Sequence, residues 1–328
     1  MRRIRKLSAF AVAVAVIMLV DPSGARADTT GNWQHNRYHA HLLVSGLQGT
    51  IGSTVGPDGA LYIPESVTGT IARVNPRDGH TTTFASGLPR RVGDLGGAID
   101  VAFIHHTAYA LVTLVSPDVG GTSADGIYRV DGPNHVTLIA DIGAYSLAHP
   151  PATDFFVPTG VQYAMQPYRD GFLVTDGHHN RVLRVSLNGD VTEVIAFSDI
   201  VPTGLALRGR TVYLAQAGPV PHLPENGKIV TFTTRTPAAT EIASGAPLLV
   251  DVEFDEGHAL YALSQGHFTP GHPEGSPADP NTGALELVDQ DGTMTPVVSA
   301  LNQPTSLEFI HGIAYIVTLN GEVWTVDS

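Results

Sequence analysis

The sequence predicts an all-β fold, a six-bladed β-propeller closed by an N-terminal strand that completes the last blade. Three observations lead to this prediction. One pattern, roughly 44 to 60 residues long, recurs six times, a period typical of propeller blades. Helical periodicity is absent beyond the first 27 residues. The last repeat stops at Ser328, one strand short of the others.

Each repeat contains four short segments that read as β-strands. The third repeat is the clearest, with "PTGVQYA", "FLVTD", "RVLRVS" and "VTEVIAF" separated by turns rich in Gly, Asp and Asn. Such β-branched segments joined by short turns predict an antiparallel meander. The second strands of the other repeats read "ALYIPE" (60–65), "AYALVT" (108–113), "TVYLAQ" (211–216), "ALYALS" (259–264) and "AYIVT" (314–318).

The missing strand of the last repeat lies at the other end of the chain. "HLLVSG" at 41–46 has the character of segments that close earlier repeats, such as "TTFASGL" at 82–88. We therefore expect 41–46 to pair with the blade built from 304–328. This pairing would close the ring and remove its open end.

The first 27 residues read as a secretory signal peptide. "MRRIRK" precedes an apolar run, and "ARA" provides a cleavage site after Ala27. The expected organisation is a signal peptide at 1–27, an N-terminal lead at 28–40 and the propeller at 41–328, in a secreted protein. The apolar run is shorter than the roughly 20 residues of a spanning helix, so we expect no membrane span. With 0 Cys, the fold relies on its core alone.

The charge balance limits the partners. The chain carries 31 acidic and 18 basic residues, and Lys228 is the only lysine after residue 27. A surface that follows phosphate groups needs clustered Lys and Arg, so nucleic acid and anionic membranes are excluded as partners. We expect a monomer that binds a small molecule or an extracellular protein.

The sequence resembles the ScyD/ScyE family of secreted propellers and, more generally, NHL-like and gluconolactonase-like propellers. The resemblance rests on "VGPDGALYIPES" (55–66), "IDVAF" (99–103), "DGFLVTDGHHNRVLRVSLNGDVTEV" (170–194), "VPTGLAL" (201–207), "VDVEFD" (250–255) and "QPTSLEF" (303–309). It implies a six-bladed fold. In gluconolactonase-like enzymes a glutamate, an asparagine and an aspartate hold a divalent metal. Here Asp251 suits the aspartate, but threonines stand where the asparagine is expected.

The long connections are predicted to lie on one face. Connections between blades share a face with the loops between second and third strands, and the long segments 114–126, 143–156, 217–227 and 266–283 all fall there. The opposite face receives only short hairpin turns. Long loops on a rigid scaffold commonly carry binding residues. The alternative is that insertions are simply tolerated on this face.

Candidate site residues stand at the starts of the inner strands, beside the mouth of the channel: Asp100, Thr159, Thr203, Asp251 and Thr305. Asp100 and Asp251 belong to the second and fifth repeats, which are opposite each other in a ring of six. Their carboxylates could hold a divalent cation such as calcium. Alternatively, each side chain accepts hydrogen bonds from N–H groups at its own strand end.

Further candidates follow the second strands on the same face. Glu65, Asp176 and Gln216 end these strands, and His178 and His179 come directly after one of them. The two histidines could serve as acid and base, or they could simply be solvated in a tight loop.

Two long loops contain imidazole and carboxylate side chains close together in sequence. His267 and His272 lie near Glu274, and His222 lies near Glu225. Such side chains are ligands for zinc or copper, so a surface metal site is conceivable.

Two functional hypotheses follow from the sequence. The first is a binding module that recognises a ligand or partner through the long-loop face. The second is a metal-dependent hydrolase or lyase of the gluconolactonase type, which would act at the channel mouth through Asp100, Asp251, Glu65 and Asp176.

Overall fold

The computed structural model describes residues 38–273 and 275–327. In this part of the chain, strands β1 to β24 form six four-stranded antiparallel sheets, which confirms the predicted six-bladed propeller. The predicted signal peptide, most of the predicted lead and Glu274 lie outside the described residues.

The first three blades follow the chain order. Blade 1 comprises β2 (Thr54–Val55), β3 (Leu61–Glu65), β4 (Thr70–Val74) and β5 (Thr81–Ser86). Blade 2 comprises β6 (Gly97–Ile104), β7 (Thr107–Thr113), β8 (Gly126–Gly132) and β9 (His135–Asp141). Blade 3 comprises β10 (Gln162–Tyr168), β11 (Gly171–Asp176), β12 (Arg181–Ser186) and β13 (Val191–Ala196).

The last three blades repeat this arrangement, and the sixth takes one strand from the start of the chain. Blade 4 comprises β14 (Pro202–Arg208), β15 (Thr211–Gln216), β16 (Lys228–Thr233) and β17 (Thr236–Ser244). Blade 5 comprises β18 (Leu249–Phe254), β19 (Leu260–Ser264), β20 (Gly283–Val288) and β21 (Met294–Leu301). Blade 6 comprises β22 (Pro304–Ile310), β23 (Ile313–Thr318), β24 (Val323–Asp327) and β1 (His39–Val44).

The ring is closed by β1. This strand pairs antiparallel with β24, with Leu42 opposite Trp324 and Val44 opposite Val323. The predicted closure is therefore confirmed, with the strand beginning at His39, two residues before the predicted start of the propeller. Innermost strands of neighbouring blades contact each other around the ring, including β22 of blade 6 and β2 of blade 1.

The hydrophobic core is divided among the junctions between blades. Six clusters of buried side chains fill the six junctions, one each. In the cluster between blades 6 and 1, for example, Val44 of β1 joins Leu61, Ile63, Tyr315 and Val323. Each blade is thus held by the faces of its two neighbours rather than by a single central core.

The long loops contain helices that the sequence analysis did not predict. Helix α1 (Ile142–Ala148) lies in the connection between blades 2 and 3, and its N-cap Asp141 accepts a hydrogen bond from the N–H of Ala144 at 2.7 Å. A seven-residue helix is too short to show a helical pattern in the sequence, which is why the periodicity gave no sign of it. No helix among the described residues is long and apolar enough to cross a membrane.

Closure by β1 predicts a large loss of stability on truncation. A chain that begins at Gln48 should lose roughly 3 to 5 kcal/mol of unfolding free energy, because β24 becomes an open edge and the apolar contacts of Leu43 and Val44 are lost. Urea denaturation against a chain that begins at Tyr38 measures this difference. Equal midpoints for the two chains would contradict the role of β1.

Candidate functional site

The central channel is narrow and is lined by all six blades. Its cavity has a volume of about 40 Å³. Polar side chains from opposite sides of the ring line it together: Ser53, Asp100, Gln166, Asp251, Glu253, Ser306 and Glu308. Among the described residues, no Lys, Arg or His side chain lines this cavity.

Asp100 and Asp251 make the same pair of contacts on opposite sides of the ring. Asp100 accepts one N–H from its neighbour Val101 at 2.8 Å and another from Met165, in blade 3, at 2.7 Å. Asp251 accepts the N–H of Val252 at 2.9 Å and that of Leu307, in blade 6, at 2.8 Å. Each carboxyl group therefore joins its own inner strand to the next blade.

Glycine makes room for both carboxyl groups. Gly52 in blade 1 and Gly204 in blade 4 lie against Oδ1 of Asp100 and Asp251, where any Cβ atom would collide with the carboxyl oxygen. The two aspartates are thus enclosed by the preceding blade and hydrogen-bonded to the following one. The expected hydrogen bonds at each aspartate's own strand end are present, and the bond to the next blade was not foreseen.

Two more channel acids, Glu253 and Glu308, are half-buried and were missed by the sequence analysis. They lie on the inner strands of blades 5 and 6, two residues beyond Asp251 and Ser306, so the alternation of strand side chains places them on the channel side. The signal was visible in "VDVEF" and "TSLEF". Glu253 Oε1 accepts the N–H of Phe254 at 2.9 Å.

The channel disfavours ionised carboxylates. Burial raises the pKa of Asp251 to about 7 and raises that of Asp100 well above its usual value, with Asp251 adding repulsion. Burial also raises the pKa of Glu253, which Asp251 raises further. For Glu308, burial and the nearby Glu253 carboxyl group raise the pKa well above its usual range. The channel carboxyl groups therefore retain their protons to a higher pH than solvated carboxyl groups do.

The described residues do not assemble a complete metal site. No group of three or more His, Cys, Asp or Glu side chains converges on one point within 38–273 and 275–327. Asp100 and Asp251, the predicted calcium ligands, direct their oxygens to main-chain N–H groups. These carboxyl oxygens thus already accept hydrogen bonds, and calcium binding by Asp100 and Asp251 stays a prediction.

A second buried cluster lies at the long-loop end of blade 3. Asp176, His179 and Arg181 are almost completely buried, and Asp176 Oδ2 lies 3.3 Å from His179 Nδ1 and 3.4 Å from Arg181 Nε. Complete burial alone would raise the pKa of Asp176, but His179 and Arg181 hold it below its usual value. Arg181, which the sequence analysis missed, provides the compensating charge.

Arg181 fixes helix α1 to this cluster. Its guanidinium donates to the carbonyl of His149 at 2.8 Å and to Ser146 Oγ at 2.9 Å, and it lies over the ring of Tyr145. A buried guanidinium requires such satisfied donors. The connection between blades 2 and 3 is therefore anchored on the side chains of blade 3.

The two histidines continue this anchoring. His178 Nε2 accepts the N–H groups of Phe156 and Val157 at 2.9 and 3.1 Å, and His179 Nε2 donates to the carbonyl of Val157 at 3.0 Å. Burial lowers the pKa of His178, which keeps this nitrogen free to accept at neutral pH. The expectation that both histidines are simply solvated was wrong, because the loop at 149–161 folds over them.

Thr159 lies in a third polar group. Its hydroxyl donates to Asp118 Oδ2 at 2.9 Å, and Ser116 Oγ lies within 2.6 Å of both Asp118 and Asp125. Asp125 is fully buried, and this burial raises its pKa. The group joins the loop between β7 and β8 to the start of the inner strand of blade 3.

The remaining predicted site residues each have separate partners. Thr203 donates to the carbonyl of Leu249 at 2.8 Å, and Thr305 lies 3.2 Å from that of Val317. Glu65 accepts the N–H of Gln48 and the hydroxyl of Thr70. Gln216 is buried at the end of β15.

His222 lies between the long loops of blades 4 and 5. Its Nδ1 donates to the carbonyl of Gly218 at 2.7 Å, and its ring packs edge to face on Phe268 at 5.3 Å. Burial lowers its pKa. The loops of blades 4 and 5 are thus joined through this histidine, while the partner Glu274 of His267 and His272 lies outside the described residues.

The fold and the channel define the chain as a six-bladed β-propeller. No sequence-family model matches it, and no curated protein matches it. Its structure is similar to that of a gluconolactonase from Xanthomonas campestris, with a TM-score of 0.61 and 13% identity over 88% of this chain and 89% of that one.

Two other solved structures share the fold. Virginiamycin B lyase from Staphylococcus aureus gives a TM-score of 0.54 at 12% identity, over 90% of this chain and 100% of that one. A chain of the nidogen/laminin complex gives 0.54 at 14% identity, over 79% and 84%. At such identities the likeness establishes the fold alone, and the closer resemblance to the ScyD/ScyE family stays a prediction.

The raised pKa values predict that stability falls as pH rises. The folded protein retains channel protons that the unfolded chain releases above a pH of about 4.5, so stability is lost as pH rises through the raised folded-state pKa values. Glu308→Gln should flatten this dependence and add about 1 kcal/mol of unfolding free energy at pH 8. Urea titrations between pH 5 and pH 8 measure it, with the exposed Glu225→Gln as control. If Glu308→Gln gave the same slope of unfolding free energy against pH as the unsubstituted protein, Glu308 would not have a raised pKa in the channel.

Proposed function

We propose that this protein is a secreted binding module, and that its long-loop face recognises a ligand or partner that presents an apolar surface. The observation that carries the proposal is a pair of neighbouring exposed aromatic side chains. Phe155 and Phe156 are 39% and 66% exposed, and such exposure of large apolar groups commonly marks an interaction site when it forms part of a patch.

The two phenylalanines are held on a rigid base. The ring of Phe156 packs on His178 at 4.3 Å and that of Phe155 on His179 at 5.2 Å. His179 in turn contacts Asp176 and Arg181, which are buried. Because the base is fixed before binding, little conformational entropy is lost when a partner covers the rings.

Other apolar side chains extend the exposed surface on the same face. Of the nine large apolar residues exposed in the described chain, seven belong to connections on this face: Val92, Leu95, Leu147, Phe155, Phe156, Val220 and Leu223. They come from three different connections between strands. This concentration favours a binding surface over randomly tolerated insertions.

The long loops support each other across this face. Phe268 of the loop between β19 and β20 is buried and packs on His222. Gln303 donates to the carbonyl of Ala278, which is also buried in that loop. A face built from packed loops can hold a defined shape, which a specific binding surface requires.

The proposal predicts that the phenylalanine pair controls binding. The double variant Phe155→Ser, Phe156→Ser should lose at least about tenfold in affinity for a partner found by screening an array of extracellular proteins and small molecules. Its far-ultraviolet circular dichroism should stay unchanged, since both rings are exposed. The matched control is Leu138→Ser, an exposed apolar residue on the outer strand of blade 2. A partner that bound the unsubstituted protein, the double variant and the Leu138→Ser control with equal affinity would contradict the proposal.

The second candidate function is a hydrolase or lyase that acts at the channel. Two observations favour it: the four channel carboxyl groups have raised pKa values, which often mark catalytic sites, and the shared fold occurs in a gluconolactonase and a lyase. As predicted from the sequence, this enzyme would require a divalent cation. The aspartates' bonds to main-chain N–H groups weigh against such a cation.

Removal of metal distinguishes the two candidates. We expect treatment with EDTA, followed by buffer exchange, to leave the melting temperature unchanged, because Asp100 and Asp251 are stabilised by N–H donors. Asp251→Asn should cost roughly 1 to 3 kcal/mol with or without EDTA, since one N–H loses its acceptor. A melting temperature that falls with EDTA, recovers with calcium and no longer responds in Asp251→Asn would favour the enzyme.

A further inference from the structure

A cleft of about 600 Å³ opens between blades 6 and 1, on the face opposite the long loops. Its walls come from the hairpin turns of these two blades, including residues near Asp58, Arg77 and His311. It lies at the junction where the first and last strands of the propeller meet.

The junction between blades 6 and 1 has a valine where three of the other junctions have a phenylalanine. At those three, a tyrosine of one blade packs on a phenylalanine at the end of the next inner strand: Tyr62 on Phe103, Tyr213 on Phe254 and Tyr261 on Phe309, at 4.8 to 5.0 Å. Tyr315 of blade 6 occupies the equivalent tyrosine position. The strand register places Val55 where the phenylalanine would be, and β2 ends there after two residues.

Two contacts join the walls of the cleft. Gly79, in the turn between β4 and β5, lies directly against the carbonyl of Leu43 in β1. The hydroxyl of Tyr315 crosses from blade 6 and donates to the carbonyl of Pro76 at 3.0 Å. The cleft extends to the outer strands of blade 6, where Leu43 and Asp327 line it.

The pocket combines an apolar wall with a cationic group. Ile310, Ile313 and Tyr315 supply the apolar wall from blade 6. Arg73 is already neutralised by Asp58, with its Nε 2.8 Å from Oδ2. Arg77, which is exposed, also lines the pocket and takes part in none of the ion pairs found among the described residues.

We propose that this cleft binds a small organic anion, with its apolar body against Ile310, Ile313 and Tyr315 and its acidic group on Arg77. The volume lies within the range of small-molecule sites, roughly 300 to 1,000 Å³. A planar guanidinium suits a carboxylate, sulfonate or phosphate group through paired hydrogen bonds. Asp58 and Asp327 also line the cleft and favour a single negative charge over several. This site is independent of the long-loop face.

The test uses 8-anilinonaphthalene-1-sulfonate, a fluorescent probe that has an apolar body and one sulfonate. Val55→Phe places a ring beside Tyr315, which lines the cleft, and should reduce the affinity at least about tenfold by narrowing the cleft. Arg77→Gln should reduce it at least about fivefold through the lost charge-assisted hydrogen bonds. Arg235→Gln, an exposed arginine in a hairpin turn of blade 4, is the matched control and should leave the affinity unchanged.

Two further measurements keep the proposal decisive. Neutral N-phenyl-1-naphthylamine should respond to Val55→Phe but not to Arg77→Gln, because only the sulfonate needs the guanidinium. Phe156→Ser reports any probe bound at the long-loop face. Absence of saturable sulfonate binding at millimolar probe would overturn the proposal. So would binding that Phe156→Ser abolishes while the folded Val55→Phe and Arg77→Gln proteins retain it.

Discussion

The structure depends on how six inner strands share one narrow channel. Asp100 and Asp251 meet this constraint by joining blade 2 to blade 3 and blade 5 to blade 6. In each pair, a main-chain N–H group of the following blade donates to the carboxyl group of the aspartate. Glycine in the preceding blade makes space for each carboxyl group. Because no basic side chain lines the described channel, the acids there are stabilised by protonation and N–H donors rather than by ion pairs.

Ring closure then gives the two faces different properties. On one face, buried polar side chains of blade 3 hold the connection that exposes Phe155 and Phe156. Arg181 and the two histidines thus act as supports for the binding surface. On the other face, the short hairpins of blades 6 and 1 leave a cleft at a junction where Val55 stands in place of the phenylalanine found at three other junctions. The same repeated blade therefore yields two separate candidate sites.

The sequence predicted the features that repeat and missed those that depend on distant neighbours. The blades, the closing strand and the long-loop face followed from strand periodicity and connection lengths. Arg181 was missed because its partners, Ser146 and His149, lie more than 30 residues earlier in the chain. The pairing of Asp100 with the Met165 N–H links residues 65 positions apart. Glu253 could have been predicted from the sequence, since it stands two residues after Asp251 on the same strand.

Carboxyl titration by carbon-13 nuclear magnetic resonance tests the central claim, which is that burial in the channel raises the pKa values of its carboxyl groups. In protein labelled at Asp and Glu side-chain carboxyl carbons, signals assigned through Asp251→Asn and Glu308→Gln should titrate well above the usual range, with Asp251 near pH 7. Titration at or below a pH of about 4 would show solvated or cation-bound carboxylates and would contradict this account.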